Sequence, residues 1–236
     1  MTRFFTLSLF FILQLSSFSQ DTQEIKEQID TVEAWKEDSI SKYSGFYVFG
    51  NGETESDLKI IVTEDLIVAQ IMNGYWESGT DEWKWNYRNL SNVKIDSQGN
   101  FSSNKYSGKF ITYKDDKFIV KGLKINKHWS PSTEIESEIG SRIETPFEMH
   151  QGKYTFTSLR ILEKKELKKF DLKELIIIKN EIYARYGYNF KKNSELEKYF
   201  QNQNWYNPQY DNVDDFLTEI EKINIKEILI QENKKK

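Results

Sequence analysis

Residues 178–188 read Ile178-Lys179-Asn180-Glu181-Ile182-Tyr183-Ala184-Arg185-Tyr186-Gly187-Tyr188, and Trp205-Tyr206-Asn207-Pro208 follows within twenty residues. This stretch decides the fold of the C-terminal third. Asp171 with Glu174 three residues later is a capping pair that starts a helix, and Gly187 supplies the left-handed residue that stops it near Tyr186. Leu172, Leu175, Ile176, Ile182, Tyr183 and Tyr186 share its apolar face, and Ala184 permits close approach of a neighbouring element. Glu181 and Arg185 stand four apart in the favourable order, a pair worth about 0.2–0.5 kcal/mol if exposed. That is too little to account for the motif. Asn180 and Arg185 are therefore expected to fasten the loop that carries Trp205 and Tyr206, with a ligand-binding role as the alternative.

Further helices flank this one. A short helix is expected over 163–168, a third is opened by Ser194 with Glu197, and a last by Thr218 with Glu221. From Tyr154 to Glu232 these landmarks resemble the YARHG domain, a small bacterial extracytoplasmic module. The resemblance is carried by residues 162–167, the motif itself, Phe190, Tyr199-Phe200, residues 205–208 and residues 221–225. It implies that Asn180, Glu181, Tyr183, Ala184, Arg185, Gly187, Trp205 and Tyr206 are architecture. Lys179 stands where the family has Arg, and Tyr186 where it has His. Imidazole chemistry at that position is thereby excluded.

Towards the N-terminus the pattern changes from helical to period two. Residues 43–126 hold about seven short apolar-alternating stretches separated by turn signals. With no helical crossover between them, they predict an antiparallel meander that curls or closes into a small barrel. Turns are expected at Asn51-Gly52, at Asn73-Gly74, over 97–100 and over 114–117. The opening at residues 43–47 loosely resembles lipocalin-like barrels. A helix is expected over 20–42, from Asp21 to about Asp38. It either lies across the sheet or serves as a partner-binding arm, and Trp35 suits a barrel end as well as a groove. Residues 127–152 read as a linker, with one edge strand around 134–139 capped by Gly140. The fold class is thus α+β: helix, antiparallel sheet or barrel, linker, and an all-α domain over 153–236.

Residues 1–19 read as a secretory signal peptide: Arg3, an apolar run from Phe4 to Leu15, and Ser17 and Ser19 before a cleavage point at Gln20. The run is too short to cross a hydrocarbon layer of about 30 Å. The chain has no cysteine, which removes thiolate chemistry and disulfides. With 33 basic and 37 acidic residues the formal net charge is −4, so nucleic acid is not an expected partner. Export to the periplasm or beyond is the expected location.

Catalytic candidates are sparse. His128 and His150 both fall in the expected linker and read as exposed. The acidic run at 211–215 lacks the ligand alternation and central glycine of a calcium loop, and reads as a turn before the last helix. No cofactor and no metal is expected. Tyr75, Trp76, Trp83, Trp85 and Tyr87 crowd one hairpin, and Trp83, Trp85 and Tyr87 share a face. That face is either the sheet interior or a platform for a sugar ring or small apolar ligand. The reading is a non-catalytic binding protein of the envelope, taking a glycan, a protein or a small ligand. The alternative is a carboxylate-dependent hydrolase with its cleft between the two domains, and a spacer role for the helical domain is the blandest case.

Overall fold

In a computed structural model the described residues are 32–50, 55–115, 118–127, 129, 137–143 and 151–236. The expected signal peptide, the Asn51-Gly52 turn, His128 and His150 lie outside them, as does the expected helix up to residue 31.

Period-two sequence between residues 43 and 126 forms eight strands among the described residues, and one more lies on either side of it. They are β1 (Glu33–Ala34), β2 (Gly45–Phe49), β3 (Ser56–Val62), β4 (Ile67–Glu77), β5 (Glu82–Asn89), β6 (Lys94–Ile95), β7 (Asn100–Ser102), β8 (Ser107–Asp115), β9 (Phe118–Ile125) and β10 (Glu138–Ile143). All pairings are antiparallel, in the order β5-β4-β3-β2-β10-β9-β8-β7-β6, with β1 beside β8. The sheet curls around a core in which Tyr43 stacks on Phe110 at 4.2 Å, and Tyr47, Phe49, Leu58, Ile60, Ile71, Leu123 and Ile125 close in from successive strands.

Four sequence expectations are corrected here. The sheet is not closed: β5 and β6 are its two ends, so it is neither a barrel nor lipocalin-like in closure. The helix expected to reach Asp38 gives way to β1, because Trp35 is drawn into the core against Tyr43 and Phe110. That burial outweighs local capping preference. The expected linker contains β10, which is no edge strand. It sits between β2 and β9, and Gly140 is bare there because a Cβ would lie 2.3 Å from the Phe49 ring. Finally, Asn73-Gly74 is not a turn. Both residues lie inside β4, and the chain reverses at 78–81. Gly74 is required by packing, since its Cβ would stand 1.9 Å from Trp83.

The C-terminal third folds as its caps predict. Helix α1 is Lys164–Leu167, α2 Leu172–Arg185, α3 Glu195–Gln201 and α4 Glu219–Lys235. Asp171, Ser194 and Thr218 each accept from the backbone N–H three residues on, and Gly187 stops α2 with φ of 73°. Asn224 is wholly buried and welds α4 to the segment before α1. Its Oδ1 accepts from Leu162 N at 2.9 Å, and its Nδ2 donates to Thr157 O at 2.7 Å and Arg160 O at 2.8 Å. No helix among the described residues is long and apolar enough to cross a membrane.

The two parts share a face. Both sides of β3 are buried, unlike a sheet with one wet surface. Leu58 and Ile60 point into the sheet core, and on the outer side Ile61 and Val68 pack against Ile220 of α4. Polar side chains pin the same face: Gln70 Nε2 donates to Phe216 O at 2.5 Å, and Asn89 Nδ2 to Leu217 O at 3.0 Å. The open edge of β5 is also covered. Gln209 donates to Trp83 O and accepts from Trp85 N, and Tyr210 Oη donates to Trp85 O at 2.6 Å. Those side chains occupy positions a closing strand would need, and they protect an edge that would otherwise invite aggregation.

Candidate functional site

Alternation along β3, β4 and β5 sorts their side chains into rows on the outer face of the sheet. The pairing register places Lys59, Gln70 and Asn89 in one row and Asp57, Met72 and Tyr87 in the next. Gly74 and Trp85 follow, with Glu55 on the same side, and then Trp76 and Trp83. Above these rows stands the end of α2 with its turn. The two surfaces enclose a cleft of ≈ 410 Å³, floored by Asp57, Lys59, Gln70, Met72, Trp85 and Tyr87 and roofed by Arg185, Tyr186, Gly187, Trp205, Asn207 and Gln209, with Glu221 behind.

The cleft has a blind end and a mouth. At the blind end Gln70 and Asn89 are tied to 215–217. Tyr186 Oη donates to Glu221 Oε2 at 2.7 Å and lies 3.1 Å from Gln70 Oε1. Tyr87 meets Tyr186 edge-on at 4.7 Å and leans on Phe216 at 5.3 Å. At the mouth Glu55 is exposed and Trp85 is 36% exposed.

Charge is distributed unevenly along this floor. Lys59 is 8% exposed and makes no hydrogen bond or ion pair among the described residues; its ammonium lies 5.9 Å from the Tyr186 ring centre. Burial lowers its pKa, with Arg185 adding to the effect and Glu221 opposing it. Asp57, one row nearer the mouth, is 7% exposed, and its Oδ1 is buried with no hydrogen-bond partner among the described residues. Burial and then the Glu55 charge push its carboxyl up to about 6. The Tyr186 hydroxyl is held well above its usual range by burial and by Glu221. Two opposite charges thus face one cleft without pairing with each other.

The motif residues hold the roof from behind. Arg185 donates from Nε to Gln151 O at 2.8 Å, from one guanidinium nitrogen to Thr157 Oγ1 and Ser158 Oγ at 2.9 and 2.8 Å, and from the other to Glu181. Glu181 also accepts from the backbone N–H groups of Lys153 and Tyr154. The pair is buried, 8% and 2% exposed at the side chains, so it is not the weak surface contact that spacing alone suggests. It is fastened to residues 151–158 and not, as expected, to the loop of Trp205 and Tyr206. Asn180 likewise turns back to Ile176 O in its own helix. The aromatic loop holds itself: Phe200 and Trp205 meet edge-on at 6.2 Å, and Tyr206 Oη donates to Tyr188 O at 2.7 Å. Tyr183 packs beside Tyr188, and Ala184 lets Phe190 and Phe200 approach α2.

Residues 153–233 match the family model of the YARHG domain. No match was found among the curated proteins or the solved structures. In this YARHG region Tyr186, where the family motif has His, bridges the α4 start and the sheet.

Of the aromatic residues marked in the sequence, Trp85 and Tyr87 line the cleft. Trp83 lies over Gly74 and meets Trp76 edge-on at 5.2 Å. Tyr75 is on the opposite face, its hydroxyl 3.5 Å from that of Tyr210. The shared face of Trp83, Trp85 and Tyr87 is the outer one, because Arg88 is opposite the core residue Ile71 and Tyr87 opposite Met72. The interior reading of that face is therefore corrected. Asp57, Lys59, Gln70 and Glu221 were missed. Asp57-Leu58-Lys59-Ile60 alternates like any strand with a wet face, and only the docking of the helical region, α4 and the end of α2, covers it. The acidic run at 211–215 forms a 3-10 turn at Asp214–Phe216, with Asn212 accepting from Asp214 N and Asp211 accepting from Asn189 Nδ2. Among the described residues no cluster of three metal-ligating side chains occurs.

Proposed function

We propose that this protein is exported and binds a small ligand, without chemistry, in the cleft between the outer sheet face and the YARHG region. Export is supported by the basic-then-apolar pattern of residues 3–19 and by the extracytoplasmic setting that a YARHG domain implies. The observation that carries binding is the cleft itself, lined by Trp85 and Tyr87 and containing two buried, oppositely charged side chains that no group among the described residues hydrogen-bonds or ion-pairs. Leaving such groups unpaired costs stability, and a ligand that satisfies them recovers it. The size and the mixed apolar and polar lining suit a small molecule.

The test uses protein labelled with 5-fluorotryptophan, whose six resonances are assigned by single Trp→Phe variants. Amino acids, short peptides, mono- and disaccharides and organic acids are added in turn. A compound in the cleft shifts the Trp85 and Trp205 resonances and leaves that of Trp35, in the sheet core, in place. A panel that moves neither Trp85 nor Trp205 overturns the proposal.

One observation favours a second reading. The carboxylates of Asp57 and Glu55 both line the cleft, and burial raises that of Asp57, an arrangement suited to general acid–base chemistry and so to the hydrolase. Turnover of chromogenic esters or glycosides that disappears in Asp57→Asn supports hydrolysis. Ligand-induced shifts with no turnover support binding.

A further inference from the structure

The polarity of the cleft floor names a class of ligand. Resting on the binding reading above, we infer that the cleft takes a zwitterionic amino compound, a free amino acid or short peptide, which enters carboxylate first.

Lys59 is the buried cation at the blind end, and nothing among the described residues hydrogen-bonds or ion-pairs its ammonium. Arg185, the other cation of the lining, is engaged away from the ligand, with donors spent on Gln151, Thr157, Ser158 and Glu181. Glu221 is held by Tyr186 and by the backbone and hydroxyl of Thr218. Among the described residues Lys59 is thus the remaining point of attachment for an anion. Asp57 follows two residues along the same strand face, about 6.6 Å along the backbone, with a buried oxygen that has no donor among the described residues. Exposed Glu55 extends the negative charge toward the mouth. Positive inside and negative outside is the mirror of a carboxylate followed by an ammonium. A simple anion would leave Asp57 unpaired, and a simple cation would leave Lys59 so. A ligand carrying both charges satisfies the two together. The indoles of Trp85 and Trp205 remain to flank its side chain.

The experiment measures binding of four probes to the full chain by calorimetry, with the fluorotryptophan shifts as the site readout. The probes are L-alanine, L-alanyl-L-alanine, N-acetyl-L-alanyl-L-alanine and L-alanyl-L-alanine amide. At least one unmodified zwitterion is expected to bind and to move Trp85 and Trp205, and stronger binding by the amino acid or the dipeptide identifies the source. Blocking either end of the dipeptide weakens binding tenfold or more. Lys59→Met removes the penalty for amidation alone, and Asp57→Asn removes the penalty for acetylation alone. This crossed pattern does not arise from a general loss of structure. Equal binding of all four probes overturns the inference, as does a penalty that both variants remove alike. If sugars or organic acids shift Trp85 and Trp205 while all four probes fail, the charge assignment falls and the cleft stands. If no compound of any class shifts them, both fall.

Discussion

Asp57→Asn should make the protein more stable. In the wild type, burial and Glu55 raise the carboxyl from 3.8 to about 6. One unit corresponds to about 1.36 kcal/mol, so the ionised side chain costs the folded state about 3 kcal/mol at pH 7. Because the folded value lies above the unfolded one, the native state holds more protons between 3.8 and about 6. Stability therefore falls as pH rises through that window, and the loss is complete above it. Asparagine keeps the shape and removes the charge, while its amide in a site without partners returns about 1 kcal/mol of desolvation cost. The net gain is about 2 kcal/mol at pH 7, or a Tm higher by about 4–8 °C for a chain of this size. Differential scanning calorimetry at pH 7 and pH 3 measures it, and at pH 3 the advantage should vanish. A lower Tm for the variant at pH 7 would show that the charge of Asp57 is stabilised in the fold. An equal gain at both pH values would show that something other than ionisation is responsible. Either result refutes the reasoning.

Other expectations follow from groups that the fold encloses. Arg185→Met strands the buried Glu181 carboxylate, and guanidinium unfolding should show a loss of about 3–5 kcal/mol. Asn224→Ala leaves a buried N–H and two carbonyls without partners; the same assay should register about 2–4 kcal/mol. Gly152 has φ of +109°, and a Cβ there would meet Glu181 Oε1 at 2.5 Å, so Gly152→Ala should lower Tm by several degrees. A variant that melts with the wild type would mean that the 151–154 turn moves freely away from α2.

The origin of each feature shows how far local reasoning reaches. The helices of the last third are written in single residues: Asp171, Ser194 and Thr218 open them, and Gly187 ends one. Capping acts over three or four residues, so it is readable without tertiary contacts. Strand alternation is equally local, and most of β2 to β9 follows it. Where expectation and structure part, a distant side chain intervenes. Trp35 takes the end of the expected first helix into a strand, the Trp83 ring turns Gly74 from a turn residue into a strand residue, and Gly140, expected to cap an edge strand, lies inside β10 against the Phe49 ring.

The amino-acid order by itself determined the α+β class, the antiparallel pairing and the YARHG resemblance of the last third, since caps, periodicity and motif spacing are properties of neighbouring residues. It also marked Trp85 and Tyr87. Only the tertiary structure decided that the sheet stays open, that β10 joins its middle, and that α4 and the end of α2 cover one face. Asp57 and Lys59 become a charged pair of opposites inside a cleft through that covering alone. A side chain's dielectric surroundings depend on what packs over it, and here the covering group, Tyr186 with Glu221, lies more than a hundred residues along the chain.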